Sequence, residues 1–250
     1  MSVISSNSLG LADGPRMLVS PASVFRRLAE RSAYGWALGA MLLVITMIGW
    51  ATVKTGLIEL EVNRQTGKAL AELEREQSDL LSRLELSKRM EKVRETGEFN
   101  KLILQGGAVA YAPIALVATL MLLAAILFAV VALAGNKPDY PTLMAVLVYS
   151  AVIDVAAAAL RLAMMLWYRT MEVDTSLGLL VSVSEETATL HRCLSAIDPF
   201  RVWFWILVGV GLVLTGQLSR RVAGVTCAVF ALLAIGVRMI PWDSMATGPA

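Results

Sequence analysis

The sequence predicts an all-α integral membrane protein with five transmembrane helices and a long charged extramembrane helix between spans one and two. Of its 250 residues, 57% are hydrophobic, and the mean hydropathy is +0.66. One soluble domain of this length could not bury so much apolar surface. The apolar residues also fall into five long runs, and these runs define the predicted spans.

A helix needs about 20 mostly apolar residues to cross the hydrocarbon core of a bilayer. Because backbone polar groups find no water there, such segments should be helical, and the alternating segments of a barrel are missing from the sequence. The five windows are residues 34–53, 108–134, 141–168, 202–218 and 222–240.

Two polar segments precede the first span. Residues 1–19 are predicted to be a flexible tail and residues 20–33 an amphipathic interfacial helix that begins at Ser20-Pro21. We expect this helix in the cytoplasmic headgroup zone, with its arginines near anionic lipid. A solvated prefix to the first span is the alternative. The apolar residues are Val24, Phe25 and Leu28, and the basic ones are Arg26, Arg27 and Arg31.

Those arginines crowd the entrance to span one, whereas only Lys54 closely follows it. The positive-inside rule therefore favours a cytoplasmic N-terminus, and five spans then place the C-terminal tail, residues 241–250, outside. The two longer polar segments, 57–105 and 169–201, would both lie on the outer side.

The segment 57–105 is rich in charged residues that favour helices. Four leucines follow the spacing of a short coiled coil, and we expect them to form a partner-binding stripe. Gly67 and Gly97 are candidate breaks, so one helix and a hairpin are both allowed. Alternatively, the stripe rests on the protein's own surface or on lipid. The four leucines are Leu70, Leu73, Leu80 and Leu84.

Asp154 and Arg161 lie within the third window, seven residues apart and therefore on one face of a helix. Intramembrane charges are costly and mark candidate functional sites. The alternative is structural: each side chain satisfies a neighbouring helix, or Arg161 extends to the outer interface.

The sequence contains no recognisable catalytic motif, and we expect neither an enzyme nor a cofactor. His191 and Cys193 share one loop, but a zinc site normally needs three or four ligands, so no metal is expected. The net charge of +2 is too small to indicate a nucleic-acid partner.

Several short motifs resemble bacterial proteins that carry the Yip-one domain, the family of Ypt/Rab-interacting membrane proteins. The resemblance covers roughly residues 21–240. The motifs are Pro21-Ala-Ser-Val-Phe25-Arg-Arg-Leu-Ala-Glu30-Arg, Asn136-Lys137-Pro138, Val146-Leu147-Val148-Tyr149-Ser150, Ile197-Asp198-Pro199-Phe200-Arg201-Val202-Trp203 and Leu218-Ser219-Arg220-Arg221. The chain departs from the family pattern at Pro199 and at Asp139-Tyr140-Pro141.

The resemblance implies five spans with a cytosolic N-terminus and no catalytic residues. It also implies a role through partners, and some bacterial relatives resemble subunits associated with ABC-type exporters. We therefore expect a non-catalytic accessory or scaffold subunit in the bacterial inner membrane, in contact with lipids and other subunits or as a homo-oligomer. The alternative is a small transporter or lipid-handling protein that uses Asp154 and Arg161.

Overall fold

The computed structural model describes residues 13–30, 33–77, 83–171, 173–181 and 188–239. Throughout these ranges the regular structure is helical and no strand occurs, which confirms the predicted all-α class. The α-helices are α1 (Asp13–Val19), α2 (Pro21–Glu30), α3 (Gly35–Lys54), α4 (Leu57–Gln77), α5 (Arg83–Gly106), α6 (Ala112–Leu133), α7 (Tyr140–Ser150), α8 (Val152–Tyr168), α9 (Ala188–Ser195), α10 (Pro199–Leu214) and α11 (Arg220–Met239). A π-helical turn, Gly107–Tyr111, joins α5 to α6, and a short 3-10 helix spans Leu177–Leu180.

Four helical stretches are long and apolar enough to cross a membrane, judged by length and composition. They are Gly35–Lys54, Leu84–Leu133, Tyr140–Tyr168 and Arg220–Val237. The fourth predicted window, 202–218, corresponds to α10, which has only 16 residues. At 1.5 Å per residue, α10 is about 24 Å long, shorter than the hydrocarbon core of about 30 Å.

The chain divides into two compact units. The first contains Met1–Met41, Val117–Ala157 and Asp174–Ala250, and its core is built around α7. Every residue from Thr142 to Ala151 is buried, because α1, α2 and α10 all pack against this helix. A helix that is apolar all round, as α7 is, is stable only when it is covered on all sides.

The N-terminal segment packs as part of this first unit. α1 lies within the segment expected to be a flexible tail, yet its Met17 is fully buried. α2 begins at Pro21 as the sequence predicts, and it packs its apolar face on α7 and α10. Val24, Phe25 and Leu28 are at most 1% exposed, so this face is covered by protein.

The second unit contains Leu42–Leu116 and Ala158–Val173. Here α4 and α5 pack side by side as an antiparallel hairpin. Lys101 Nζ lies 2.6 Å from Glu59 Oε1, and further along the pair Gly97 faces Thr66. The segment 57–105 is therefore two helices. Gly67 lies within α4 and Gly97 within α5, so neither glycine ends a helix. The residues between the two helices, 78–82, lie outside the described ranges.

Two helix ends have clear local causes. α10 begins at Pro199 because the Asp198 side chain accepts a hydrogen bond from the Phe200 N–H, 2.9 Å away, as the Asp-Pro pair predicts. α10 ends at Leu214 because Gly216 adopts a positive φ of 73°, a conformation that glycine accepts without steric cost.

The third predicted span, 141–168, is interrupted at Ala151, whose carbonyl accepts a hydrogen bond from the Asp154 N–H, only three residues further along the chain.

Candidate functional site

The segments that carry the sequence motifs meet inside the first unit. Gly211 of α10 faces both Val146 of α7 and Phe25 of α2. A Cβ at position 211 would lie 2.6 Å from Val146 Cγ1 and 2.9 Å from Phe25 Cε1. All three residues are buried, so the absence of a side chain at Gly211 lets three helices approach one another closely.

The short connections before α7 and after α10 are tied together by one buried side chain. Gln217 Oε1 accepts a hydrogen bond of 3.2 Å from the Asp139 N–H, and the Gln217 carbonyl accepts one of 3.0 Å from Asn136 Nδ2. The Thr142 hydroxyl in turn donates to the Asp139 carboxylate. Two motifs far apart in sequence, Asn136-Lys137-Pro138 and the segment at Leu218, therefore form one polar junction.

The predicted intramembrane charges lie on α8, and Asp154 faces Arg201 of α10. The Asp154 carboxylate is 3.6 Å from Arg201 Nη1, and the two side chains are 28% and 42% exposed. Arg201 also lies over the Phe204 ring, 5.8 Å from its centroid. Arg161 is half-buried, two turns further along α8.

Two open cavities of the first unit border on α10. A groove of about 650 Å³ lies between α10 and α11, with Trp205 and Cys227 among its lining residues. A second cavity of about 440 Å³ lies between α6, α10 and α11, and Asp198 and Arg201 are its charged lining residues. The first is apolar apart from one arginine, whereas the second brings a carboxylate and a guanidinium to an apolar wall.

The segment between α8 and α10 contains a small polar cluster. The Asp174 carboxylate accepts hydrogen bonds from both the N–H and the hydroxyl of Ser176, and these bonds fix the position of Ser176. His191 Nδ1 is 3.5 Å from Ser195 Oγ, one turn along α9, and Cys193 is half-buried. In the part of the chain that the structure describes, no three His, Cys, Asp or Glu residues converge on a point where a metal ion could bind.

The predicted leucine stripe is divided between the two helices of the hairpin. Leu70 and Leu73 lie on α4 and are half-buried, and Leu73 lines an open groove of about 600 Å³ between α4 and α5. Leu84 lies on α5 and is 66% exposed. Leu80 lies outside the described residues. The role of these leucines in binding a partner stays a prediction.

The sequence did not predict two features of the structure, one in each unit. Arg201 is four residues before Trp205 at the edge of the fourth window, where an arginine is normally assigned to the interface. Gly49 packs against the backbone of the π-helical turn, and nothing in its surrounding sequence distinguishes it from the open Gly39. Each depends on a partner distant in sequence, which one sequence does not reveal.

Comparison with known proteins identifies the family of the chain. Residues 16–239 match the Yip1 domain, so the match extends over α2, the α4–α5 hairpin and every candidate span. No curated protein matches the chain. No solved structure does either. Because the match covers most of the chain and includes the motifs that meet at Gly211 and Gln217, this multi-pass membrane protein belongs to the Yip1 domain family.

Proposed function

We propose that the protein is a non-catalytic accessory or scaffold subunit of a bacterial inner-membrane complex. The observation that carries this proposal is the α4–α5 hairpin, whose helices are rich in charge and pack on one another through one face. Helices gain most of their stability from packing an apolar face, and a pair leaves much of its surface uncovered. The hairpin therefore offers a long surface to another chain.

Leu84 is the best-placed contact on that surface. It is 66% exposed at the start of α5, among residues that are mostly charged. Leu73, in contrast, lines the groove between the two helices and supports the hairpin itself. A partner would thus gain the apolar contact of Leu84 together with ion pairs to its charged neighbours. An ABC-type exporter is our first candidate partner, because some bacterial proteins of this family resemble exporter-associated subunits.

The test is purification from crosslinked cells in mild detergent, followed by identification of the proteins that accompany the chain. Removing an exposed leucine contact weakens binding by on the order of 1.5–3 kcal/mol, so Leu84→Ser should lower partner recovery at least tenfold. Lys88→Ser, which removes an exposed charge on the next turn of α5, should lower recovery less, because an exposed ion pair contributes at most about 1 kcal/mol. Recovery of the unmodified chain only as a monomer would refute the proposal.

The proposed topology has five spans, with α10 as the fourth, a cytoplasmic N-terminus and an outer C-terminus. Arginines before span one and the basic loop at Ser219-Arg220-Arg221 support this orientation. In intact cells, a membrane-impermeant thiol reagent should then label Cys193 and a Ser87→Cys variant. It should not label a Ser219→Cys variant in which Cys193 has been replaced by serine, and labelling of position 219 but not of Cys193 or position 87 would invert the topology.

A second candidate function is transport or lipid handling through Asp154 and Arg161. The observation that favours it is the ion pair between Asp154 and Arg201, because Arg201 also lines the 440 Å³ cavity. Charges within apolar helices are costly, and those that occur often mark ion or substrate paths.

This second function is tested by reconstituting the chain in vesicles and measuring the translocation of a fluorescent phospholipid. Asp154→Asn and Arg161→Gln should each slow that translocation, while Lys137→Gln, an exposed charge in the loop before α7, should not. Translocation that continues at the original rate in both variants would exclude these residues as its pathway.

A further inference from the structure

Small residues line part of the groove between α10 and α11, and we call them its floor. On α11 the floor includes Gly224 and Ala228, one turn apart, and on α10 it includes Gly209. A Cβ at position 224 would meet nothing within 4 Å, so the space above this glycine is open. Ile206 and Val213 form an apolar wall on the α10 side. A flexible hydrocarbon chain would fill such a groove without leaving polar groups unsatisfied.

One end of the groove is charged. Among its described lining residues, Arg220 is the only one that carries a charge, and it is the first residue of α11. Ala22, in the first turn of α2, lies at the same groove. Neither helix has an acidic residue in its first turn, so no acidic side chain there offsets the positive end of either helix dipole. Arg221, which is exposed, adds a second positive charge nearby.

We propose that this groove binds an anionic phospholipid of the bilayer, with an acyl chain along the small-residue floor and the phosphate at Arg220. The ligand is an amphiphile with its negative charge at one end, and the groove is apolar with positive charge at one end. Basic pockets that open between membrane helices are a common way to bind acidic headgroups. This inference does not depend on the proposed accessory function.

A second copy of the chain is a weaker match for the same groove. The spacing of Gly224 and Ala228 would allow close helix packing. However, two copies that are inserted in the same direction and related by a two-fold axis place the same end of each groove at the same level of the membrane. Arg220 would then approach Arg220 of the other copy, and like charges repel.

The experiment uses the full-length chain in nanodiscs that contain phosphatidylglycerol or phosphatidylcholine with a photoreactive acyl chain. After illumination, labelled peptides are quantified by mass spectrometry. We expect labels on α10 and α11 at the groove, with phosphatidylglycerol preferred. Arg220→Gln should lower that preference about fivefold, the effect of one basic residue near the membrane surface. Arg221→Gln, which removes the same charge from outside the lining, should lower it less.

The apolar half of the groove has its own pair of variants. Gly224→Leu fills the floor and should reduce labelling by both lipids. Gly236→Leu places the same side chain in open space elsewhere on α11 and should leave labelling unchanged. Equal labelling of the unmodified chain by both lipids would overturn the proposal. A dimer that Gly224→Leu dissociates, without loss of lipid labelling, would assign the groove to a second copy instead.

Discussion

Gly49 lies directly against the carbonyl group of Ala108. A Cβ at position 49 would be 1.9 Å from that oxygen and 2.7 Å from the carbonyl carbon, so a Cα hydrogen of Gly49 points at it. Ala108 is part of the π-helical turn, in which the Ala112 N–H donates to the Gly107 oxygen. The next hydrogen bond of this pattern would join residue 113 to the Ala108 oxygen, but Pro113 has no N–H to donate. The contact with Gly49 therefore supplies a weak Cα–H···O interaction at the Ala108 carbonyl.

Gly49→Ala is therefore expected to destabilise the protein. The added methyl group meets backbone atoms, which cannot rotate away, and overpacking of this kind costs about 1–3 kcal/mol. Thermal unfolding of the purified protein in detergent should show the loss. Gly39→Ala on the same helix is the control, because a Cβ at position 39 meets nothing within 4 Å. Equal stability of the two variants would mean that α3 does not approach the π-helical turn this closely.

Gly211→Ala tests the contact among three motif segments. Its methyl group would overlap Val146 Cγ1 at 2.6 Å, and we expect a loss of about 1–3 kcal/mol. Adding Val146→Ala removes the overlapping atom, so the double variant should lose less stability than the two single losses combined. Strict additivity in the thermal unfolding of the three variants would contradict this contact.

Gly67 and Gly97 provide a matched pair within the hairpin. Gly67 is exposed inside α4 with open space around it, so Gly67→Ala should stabilise the hairpin by about 1 kcal/mol through helix propensity. Gly97 is buried, and a Cβ there would lie 2.6 Å from Thr66 Oγ1. Gly97→Ala should therefore show no such gain. Hydrogen exchange of the α4 and α5 amides measures both effects, and equal gains would argue against this interhelical approach.

Gln217→Ala tests the junction between the two short connections. The substitution removes the acceptor of the part-buried hydrogen bond from the Asp139 N–H, and a typical hydrogen bond contributes about 0.5–1.5 kcal/mol to stability. Asn136→Ala should act in the same direction, since it removes the bond to the Gln217 carbonyl. Lys137→Ala changes an exposed neighbour and should have little effect on thermal unfolding. If all three variants unfold at the same temperature, the junction contributes nothing to stability.

The sequence predicts the features that depend on nearby residues. Runs of apolar residues locate the candidate spans, and an Asp-Pro pair such as Asp198-Pro199 is a common start of a helix. The covered face of α2 can be read from Val24, Phe25 and Leu28, but a sequence alone does not distinguish a lipid surface from a protein surface. A lipid surface and a protein surface both favour the same apolar stripe on a helix.

The remaining features depend on pairs of distant residues. No proline or glycine marks the hairpin connection; its Ser78, Asp79 and Ser82 are typical of turns and helix starts, but strong helix formers flank them. The two glycines that do occur in this segment lie within helices. Asp154 is predicted as a candidate from its apolar surroundings, but its partner Arg201 lies on another helix. Tertiary packing decides both cases, and local propensity carries no information about it.

The packing of α2 also determines when the first unit can be completed during synthesis. Phe25 is made early, while Gly211, which it contacts, follows 186 residues later. At the usual speed of a ribosome, about 5–20 residues per second, the delay is roughly ten to forty seconds. During that interval the growing chain has no α10 to cover Val24, Phe25 and Leu28, and the nearest apolar environment is the membrane surface. We therefore expect α2 to lie at the membrane interface in the nascent protein, whereas it packs on α7 and α10 in the folded protein.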